Sequence, residues 1–477
     1  MTPALTLPAR GTRLEEGGGL LQADAMLAAC VALFLPLAML AAGLAGPLRL
    51  LYPAMAVAAA GYLYFRNSPW YVGLLVWLFC ASPLIRRMVD LPLGFQQSSP
   101  ILLAPYAAAL FCAISFVTYL LRPRARLIGP FVVFLVCVGY GWVLAAFAGR
   151  LASGMVDVLK WGIGPLVAVH LMAQAQQYPA FHRVVLNSFG IACPAMAAYG
   201  IMQFIEPTPW DADWVSNMIL QGMTSMGQPL PFELRVFGTM HSPGSFGAFL
   251  MVGLILLIGR PLPLALPGMA LTVLGLALAQ YRAIWTGTAI GVLLVLFGGT
   301  ARERMRIIIG GMVLVLAMGP MIAVPEMQET ITKRIESLTT LAADESGEDR
   351  LNQYREFLEG EDRLIIGEGL AITGASRQMD GKQGVVIDSG IIEVYTALGI
   401  IMATVMFAAM AVLVLRTFRA SDAVSPHMHL YRAVVVASFL QLPFGSVHVG
   451  EAGFGAWLCL GLAMASMLPR SDIRRTT

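Results

Sequence analysis

The stretch 25–46 reads AMLAACVALFLPLAMLAAGLAG and indicates the class of fold. It has no charged residue, and an apolar helix of about 20 residues is what crosses the hydrocarbon core of a membrane. The segment before it carries Arg10, Arg13, Glu15 and Glu16 but no clean small-residue cleavage site. We therefore expect a retained first helix and not a removed signal peptide.

Similar apolar runs recur along the chain. The 477 residues are 58% hydrophobic and only 12% charged, whereas soluble domains are about 45–50% apolar and about 25% charged. This composition excludes a single water-soluble core and predicts an all-α polytopic membrane protein with about 14 transmembrane helices. We place them at 25–46, 50–65, 70–85, 100–121, 127–147, 156–174, 184–204, 244–259, 262–280, 283–299, 307–324, 389–415, 433–447 and 452–468.

The basic residues indicate the orientation. With the N-terminus inside, the tails and inner loops hold 17 of the 31 Lys and Arg residues. Short outer loops and helix ends hold seven, and one long outer loop holds the other seven. Positive residues concentrate in cytoplasmic loops. We therefore predict a multi-pass protein of the bacterial inner membrane with both termini in the cytoplasm.

This topology divides the chain into five parts. Residues 325–388 form the only polar stretch long enough for a small periplasmic subdomain, between helices 11 and 12. Apolar residues at helical spacing within it predict two short helices on the outer face of the membrane. The parts are a cytoplasmic tail (1–24), a transmembrane bundle (25–324) with a periplasmic loop at 205–243, the loop subdomain (325–388), a second bundle segment (389–468) and a cytoplasmic tail (469–477).

Several arginines lie on the outer side, against the general charge rule. Arg235 precedes one span, Arg282 lies between two spans that nearly abut, and Arg86 and Arg150 lie at helix ends. Charges at such positions usually have a partner or a role, although an arginine can also extend to lipid phosphates at the interface. A planar guanidinium suits a diphosphate and stabilises its growing charge as a bond to a sugar breaks.

Five segments share the order and sidedness of a known family. They are Arg235-Val-Phe-Gly-Thr-Met-His-Ser-Pro-Gly, Tyr281-Arg282-Ala283, Arg350-Leu-Asn-Gln-Tyr354, Leu364-Ile-Ile-Gly367-Glu-Gly369 and Asp388-Ser-Gly-Ile-Ile-Glu-Val-Tyr-Thr-Ala-Leu-Gly399. Together they resemble motifs of the O-antigen ligase and Wzy-type polymerase superfamily. The resemblance implies a GT-C-like bundle that transfers an oligosaccharide from undecaprenyl diphosphate without a metal.

One departure favours a polymerase. Family ligases carry a histidine where this chain has Asp388, and the stretch 325–388 contains no histidine. We predict polymerisation of lipid-linked repeat units of an exopolysaccharide or O-antigen type. Ligation of a finished glycan to another acceptor is the nearest alternative. A lipid-linked oligosaccharide flippase is an alternative of a different class, but it should have two similar halves and charges along the middle of its helices.

The predicted site residues have three roles. Asp388 and His241 are candidate catalytic bases, although Asp388 also suits a helix N-cap or first turn and His241 also suits a structural role. The diphosphate-binding candidates are Arg235, Arg282, Arg350, Arg86 and Arg150, and the acceptor-side candidates are His448, Glu451 and Tyr354.

The implied ligands follow from these roles. We expect undecaprenyl-diphosphate-linked oligosaccharide and membrane lipids as partners, with a chain-length regulator and a flippase of the same pathway as further candidates. The sequence shows no nucleic-acid signature and no metal-ligand spacing. We therefore expect no nucleic-acid partner, no metal and no cofactor.

Overall fold

A computed structural model describes residues 22–122, 125, 127–223, 225–322, 352–357, 359, 365–373, 387, 389–419 and 427–468, without the side chains of 262–264 and 313–322. Within these ranges the chain is almost entirely helical, and Gly227 and Leu234 form an isolated β-bridge. The prediction of an all-α membrane protein is confirmed.

The helices follow the apolar runs of the sequence. Eight of them, α1–α7 and α13, are long and apolar enough to cross a membrane. The helices are α1 (Ala23–Ala41), α2 (Ala45–Phe65), α3 (Trp70–Leu93), α4 (Pro100–Leu120), α5 (Gly129–Phe147), α6 (Leu151–Ala173), α7 (Ala175–Ile205), α8 (Pro209–Leu220), α9 (Pro243–Ile258), α10 (Leu262–Ala279), α11 (Arg282–Gly298), α12 (Ala301–Ile322), α13 (Gly390–Arg419), α14 (Met428–Phe439) and α15 (Gly450–Ser466).

Several helix ends differ from the sequence prediction, since α6, α7 and α12 begin five to nine residues earlier than predicted. Two other ends have a clear local cause. Helix α3 continues to Leu93 instead of ending near residue 85, because Asp90 on its next turn pairs with Arg86 at 3.1 Å and satisfies the charge inside the helix. Helix α14 ends at Phe439 instead of residue 447, and a short 3-10 turn follows. Pro443 in that turn lacks an N–H and disfavours a helical residue before it.

Helix α13 is broken at Gly399, whose φ of 71° and ψ of 172° are not helical. Residues 365–373, which we call the strap, lie along this break. The strap's Glu368 N–H donates to the Thr396 carbonyl at 2.8 Å, and its Gly369 N–H donates to the Ala397 carbonyl at 2.9 Å. The strap therefore satisfies carbonyl groups that the break removes from the helical ladder.

One end of the bundle, which we call the site end, joins elements that are far apart in sequence. Arg87 of α3 forms an ion pair with Asp211 of α8 at 3.2 Å. Ser245 of α9 donates to Glu451 of α15 at 3.0 Å. The strap reaches the same end, where its Ala371 N–H donates to Asp157 of α6 at 2.9 Å.

The opposite end has its own polar contacts. Glu303 of α12 forms an ion pair with His429 of α14 at 2.8 Å, and Arg416 of α13 donates to the Leu127 carbonyl at 3.2 Å. Between the two ends, buried apolar side chains form one continuous core. Most charged side chains that the structure describes therefore lie towards the two ends of an apolar bundle.

Candidate functional site

Arg235 and Arg282 lie at one turn of the site end. One Nη atom of Arg235 donates to the Ser225 carbonyl and the other to the Gln280 carbonyl, both at 2.8 Å. Gln280 closes α10 in a left-handed conformation, and Arg282 is the first residue of α11. Both arginines are partly exposed. The two motifs that the sequence separates by 47 residues therefore meet, and Arg235 also stabilises the turn that presents Arg282.

Arg86 is buried inside the bundle, with 3% of its surface exposed. Its Nε donates to Asp90 at 3.1 Å and one Nη donates to the Gln96 carbonyl at 2.6 Å. The guanidinium also lies 4.7 Å from the Trp214 ring centroid, a cation–π distance. Arg86, which was predicted to bind a diphosphate, thus holds α3 against the 95–97 segment.

Arg87, its neighbour, is 1% exposed and fixes the loop before α9. It donates to the Met240 carbonyl at 2.8 Å and the Gly238 carbonyl at 2.7 Å, and it pairs with Asp211. Removing one partner of a buried ion pair is costly. Arg87 therefore positions the segment that carries Arg235 and His241.

His241 lies within this arginine cluster. Its ring is 5.2 Å from the Trp214 ring, and neither ring nitrogen has a hydrogen-bond partner among the described residues. Burial lowers its pKa well below the usual 6.5, and the charges of Arg86 and Arg87 lower it further. His241 is thus a neutral imidazole that can offer one donor and one acceptor to a ligand.

Two acids that the sequence analysis did not single out, Asp157 and Glu393, lie deeper at the site end. Glu393 of α13 is 7% exposed and accepts from Thr373 of the strap at 3.1 Å and from Ser446. Asp157 of α6 is 5% exposed and lies 3.4 Å from the Lys160 ammonium. The sequence signal for both was an ionisable residue within an apolar run, which usually marks a functional position.

Glu451 links three helices. It lies in the first turn of α15, where it accepts from Ser245 of α9 at 3.0 Å and from the Tyr106 hydroxyl of α4 at 3.5 Å. Its side chain is partly exposed. A carboxylate that is oriented by hydroxyl groups and still reachable has the geometry of a proton acceptor.

His448, three residues before Glu451, is fully buried. Its ring meets Trp161 edge to face at 4.9 Å, and its nitrogens have no hydrogen-bond partner in the part of the chain that the structure describes. Burial lowers its pKa to about 3, so it is neutral at physiological pH. The structure does not pair His448 with Glu451, whose partners are Ser245 and Tyr106.

Tyr354 and the start of α13 lie close together. The Tyr354 hydroxyl is 2.7 Å from the Ser389 hydroxyl and donates to the Pro443 carbonyl at 3.3 Å. Ser389 accepts the Ile392 N–H at 3.3 Å, which is the contact of an N-cap. Ser389 is therefore the N-cap of α13. Asp388 and Arg350 themselves lie outside the described residues.

Arg150 holds the strap. Its Nε donates to the Leu370 carbonyl at 3.3 Å and one Nη donates to the Glu368 carbonyl. The strap in turn donates to Asp157 and Glu393. Hydrogen bonds through the strap thus connect Arg150 with Asp157 and Glu393.

Two further observations concern metal binding and similarity to known proteins. Within the described ranges, no group of three or more His, Cys, Asp or Glu side chains is arranged to hold a metal ion. No model of a known protein family matches the sequence, and no curated protein shows significant similarity to it.

Proposed function

We propose that the protein is a glycosyltransferase that polymerises undecaprenyl-diphosphate-linked oligosaccharide repeat units at the periplasmic face of the bacterial inner membrane. The observation that supports this best is the meeting of Arg235 with the turn of Arg282 at the end of the bundle that also holds Glu451. Guanidinium groups and an oriented carboxylate are the groups that a metal-independent transfer from a diphosphate requires.

The chemistry assigns a role to each group. A hydroxyl oxygen of the acceptor sugar attacks C1 of the donor sugar, and the C1–O bond to the diphosphate breaks. The electron pair leaves with the diphosphate, where Arg282, supported by Arg235, offsets the added charge. Glu451 accepts the proton from the attacking hydroxyl.

The distribution of charge favours a transferase over a flippase. Buried acids and arginines at the site end belong to a fixed network of short contacts, such as Arg86 with Asp90 and Arg87 with Asp211. A flippase needs a polar route along its helices, whereas the buried side chains between the two ends of this bundle are mostly apolar. Ligation of a finished glycan uses the same chemistry and stays the alternative within this enzyme class.

The proposed membrane arrangement takes α1–α7 and α9–α15 as fourteen crossings in a GT-C-like bundle. Helix α8 then lies at the outer interface, and the site end faces the periplasm. Both termini are cytoplasmic in this arrangement, which agrees with the basic residues of the opposite end.

The first test is genetic and biochemical. Deleting the gene should cause single lipid-linked repeat units to accumulate, whereas accumulated long chains would indicate a ligase and inner-leaflet intermediates a flippase. Arg235→Lys and Arg282→Lys should each lower polymer formation by about 10²–10³, because an ammonium cannot reproduce the guanidinium fork. Polymer length on a gel and membrane abundance on a blot are the measurements.

Arg419→Lys is the matched control, because Arg419 is exposed at the opposite end. It should make normal polymer. Normal polymer from the Arg235 and Arg282 variants at normal abundance would show that these arginines only anchor the turn.

A further inference from the structure

A cavity of about 160 Å³ lies between the start of α4 and the first three turns of α6, open on one side. Its polar wall contains Gln97, Ser99, Tyr106 and Lys160. We call this cavity the α4/α6 groove. It is separate from the turn between α10 and α11, which carries Arg282 and which Arg235 contacts.

The other wall of the α4/α6 groove is apolar. Leu103, Val156 and Leu159 contribute to it, and Leu103 is 41% exposed on the outside of the bundle. In a membrane protein such a surface meets lipid. The groove therefore joins a lipid-facing apolar wall to a polar wall at the site end, which is the pattern that an amphiphile requires.

The polar wall holds an unused hydrogen-bonding group. Ser99 is 3% exposed, and its hydroxyl has no hydrogen-bond partner among the residues that the structure describes. A buried polar group without a partner is costly, by about 1–3 kcal/mol. A phosphate oxygen in the groove would accept a hydrogen bond from this hydroxyl and would also face the Lys160 ammonium.

The size of the groove restricts its occupant. A cavity of about 150 Å³ holds one molecule the size of benzene. The groove therefore accommodates one small group, such as the phosphate end of a lipid, and the lipid chain has to continue along the apolar wall beside Leu103. A polyprenyl lipid places one chain along this wall, whereas a phospholipid has to place two, which favours the polyprenyl lipid.

The position of the groove links it to the proposed reaction. Tyr106 lines the groove, and its hydroxyl donates to Glu451. A lipid head in the groove would place its attached sugar next to the proposed base. The α10–α11 turn also lies near Glu451, since Ser245 of α9 contacts this carboxylate and a Cβ on the neighbouring Gly244 would lie 3.6 Å from the Tyr281 ring.

We propose that the α4/α6 groove binds the diphosphate end of a second polyprenyl-diphosphate lipid, the one that carries the acceptor glycan. This inference rests on the proposed polymerase function, in which two lipid-linked substrates must meet. Asp157 lies 3.4 Å from the Lys160 ammonium and competes with the phosphate for it. Because salt screens the attraction between the ammonium and the phosphate, binding should weaken as salt increases.

The test uses full-length purified protein in detergent, with Arg282→Ala as the background so that binding at the α10–α11 turn is reduced. Undecaprenyl diphosphate is the probe, and native mass spectrometry measures the bound fraction. Val156→Trp should fill the groove, and Lys160→Gln should remove its charge. Each change should weaken binding about tenfold or more. Lys160→Gln removes a charge-assisted hydrogen bond, and Val156→Trp excludes the lipid from the groove.

Val143→Trp is the matched control, since Val143 is 45% exposed on the adjacent helix α5 and lies outside the groove. It should bind the probe like the background protein. Dioleoylphosphatidylglycerol should compete at least tenfold less well than undecaprenyl phosphate. Unchanged binding by Val156→Trp, or equal competition by the phospholipid, would overturn the assignment.

The same variants separate this inference from the proposed function. If Val156→Trp binds normally while the Arg282→Lys strain loses polymer, the groove assignment fails and the polymerase survives. If groove binding depends on Val156 and Lys160 while the deletion strain makes normal polymer, the polymerase fails and a lipid-phosphate site remains.

Discussion

Glu451 is the residue on which proton transfer depends in the proposed reaction. In Glu451→Gln, one oxygen acceptor remains for Ser245 or Tyr106, the other oxygen becomes an amide NH2, and the basic carboxylate is lost. We expect the polymerisation rate to fall about 10²–10⁴, the usual contribution of a general base. Binding of undecaprenyl diphosphate should stay within about twofold of wild type. Rate measurements on purified protein and native mass spectrometry give the two values.

Glu233→Gln is a suitable control for this change. Glu233 has an exposed side chain in the loop before α9, at the same end of the bundle. It should polymerise at the wild-type rate. A Glu451→Gln protein that also does so would assign the proton transfer to another group.

Single residues also show what the sequence could predict about the site. The meeting of Arg235 with the turn of Arg282 followed from one helical hairpin that crosses and returns. The pairing of Glu393 with Thr373 and Ser446 could not be predicted, because it joins α13, the strap and the turn before α15. Nor could the sequence show that Arg86 is already bound to Asp90 and the Gln96 carbonyl.

The strap and the broken helix α13 form one unit at the scale of elements. A Cβ on Gly399 would lie 2.4 Å from the Ile365 carbonyl oxygen, and its φ is positive. We expect Gly399→Ala to displace the strap and abolish polymer formation while the protein still reaches the membrane. Ile372→Cys is the reporter, since Ile372 is 3% exposed and should react with a maleimide only when the strap is displaced.

The control is Gly149→Ala, and both glycine variants are measured in a Cys30→Ser background because Cys30 is an exposed thiol. Gly149 also has a positive φ, of 76°, but a Cβ there would meet no atom within 4 Å. The change should cost only about 1–2 kcal/mol of backbone strain. Equal labelling of Ile372→Cys in both variants would argue against the specific contact between Gly399 and the strap.

Helix positions were predictable because the apolar runs are long, and every observed helix except α8 overlaps one of them. The break in α13 was not predictable, since a glycine inside an apolar run is compatible with a helix. The strap requires glycine at the point of contact: a Cβ on Gly367 would lie 2.4 Å from the Gly399 backbone nitrogen. Such close backbone contacts depend on the tertiary structure and leave only isolated glycines in the sequence.

The distribution of basic residues between the two ends predicts the orientation of the whole bundle. The opposite end carries most of the short-loop arginines, including Arg302, Arg304 and Arg306 at the start of α12. Positive loops stay in the cytoplasm, so the site end should face the periplasm. In a Cys30→Ser background, Ser216→Cys on α8 should react with an impermeant maleimide in intact spheroplasts. Ala301→Cys should react only after lysis.

Both positions are exposed, so a lack of labelling reports the membrane barrier and not burial. The paired design also separates orientation from the site assignment. Labelling of Ala301→Cys before lysis, with Ser216→Cys protected, would invert the bundle. The arginines and Glu451 would then face the cytoplasm. Transfer of glycans on the periplasmic side would be excluded, even though the contacts among Arg235, Gln280, Ser245 and Glu451 would be unchanged.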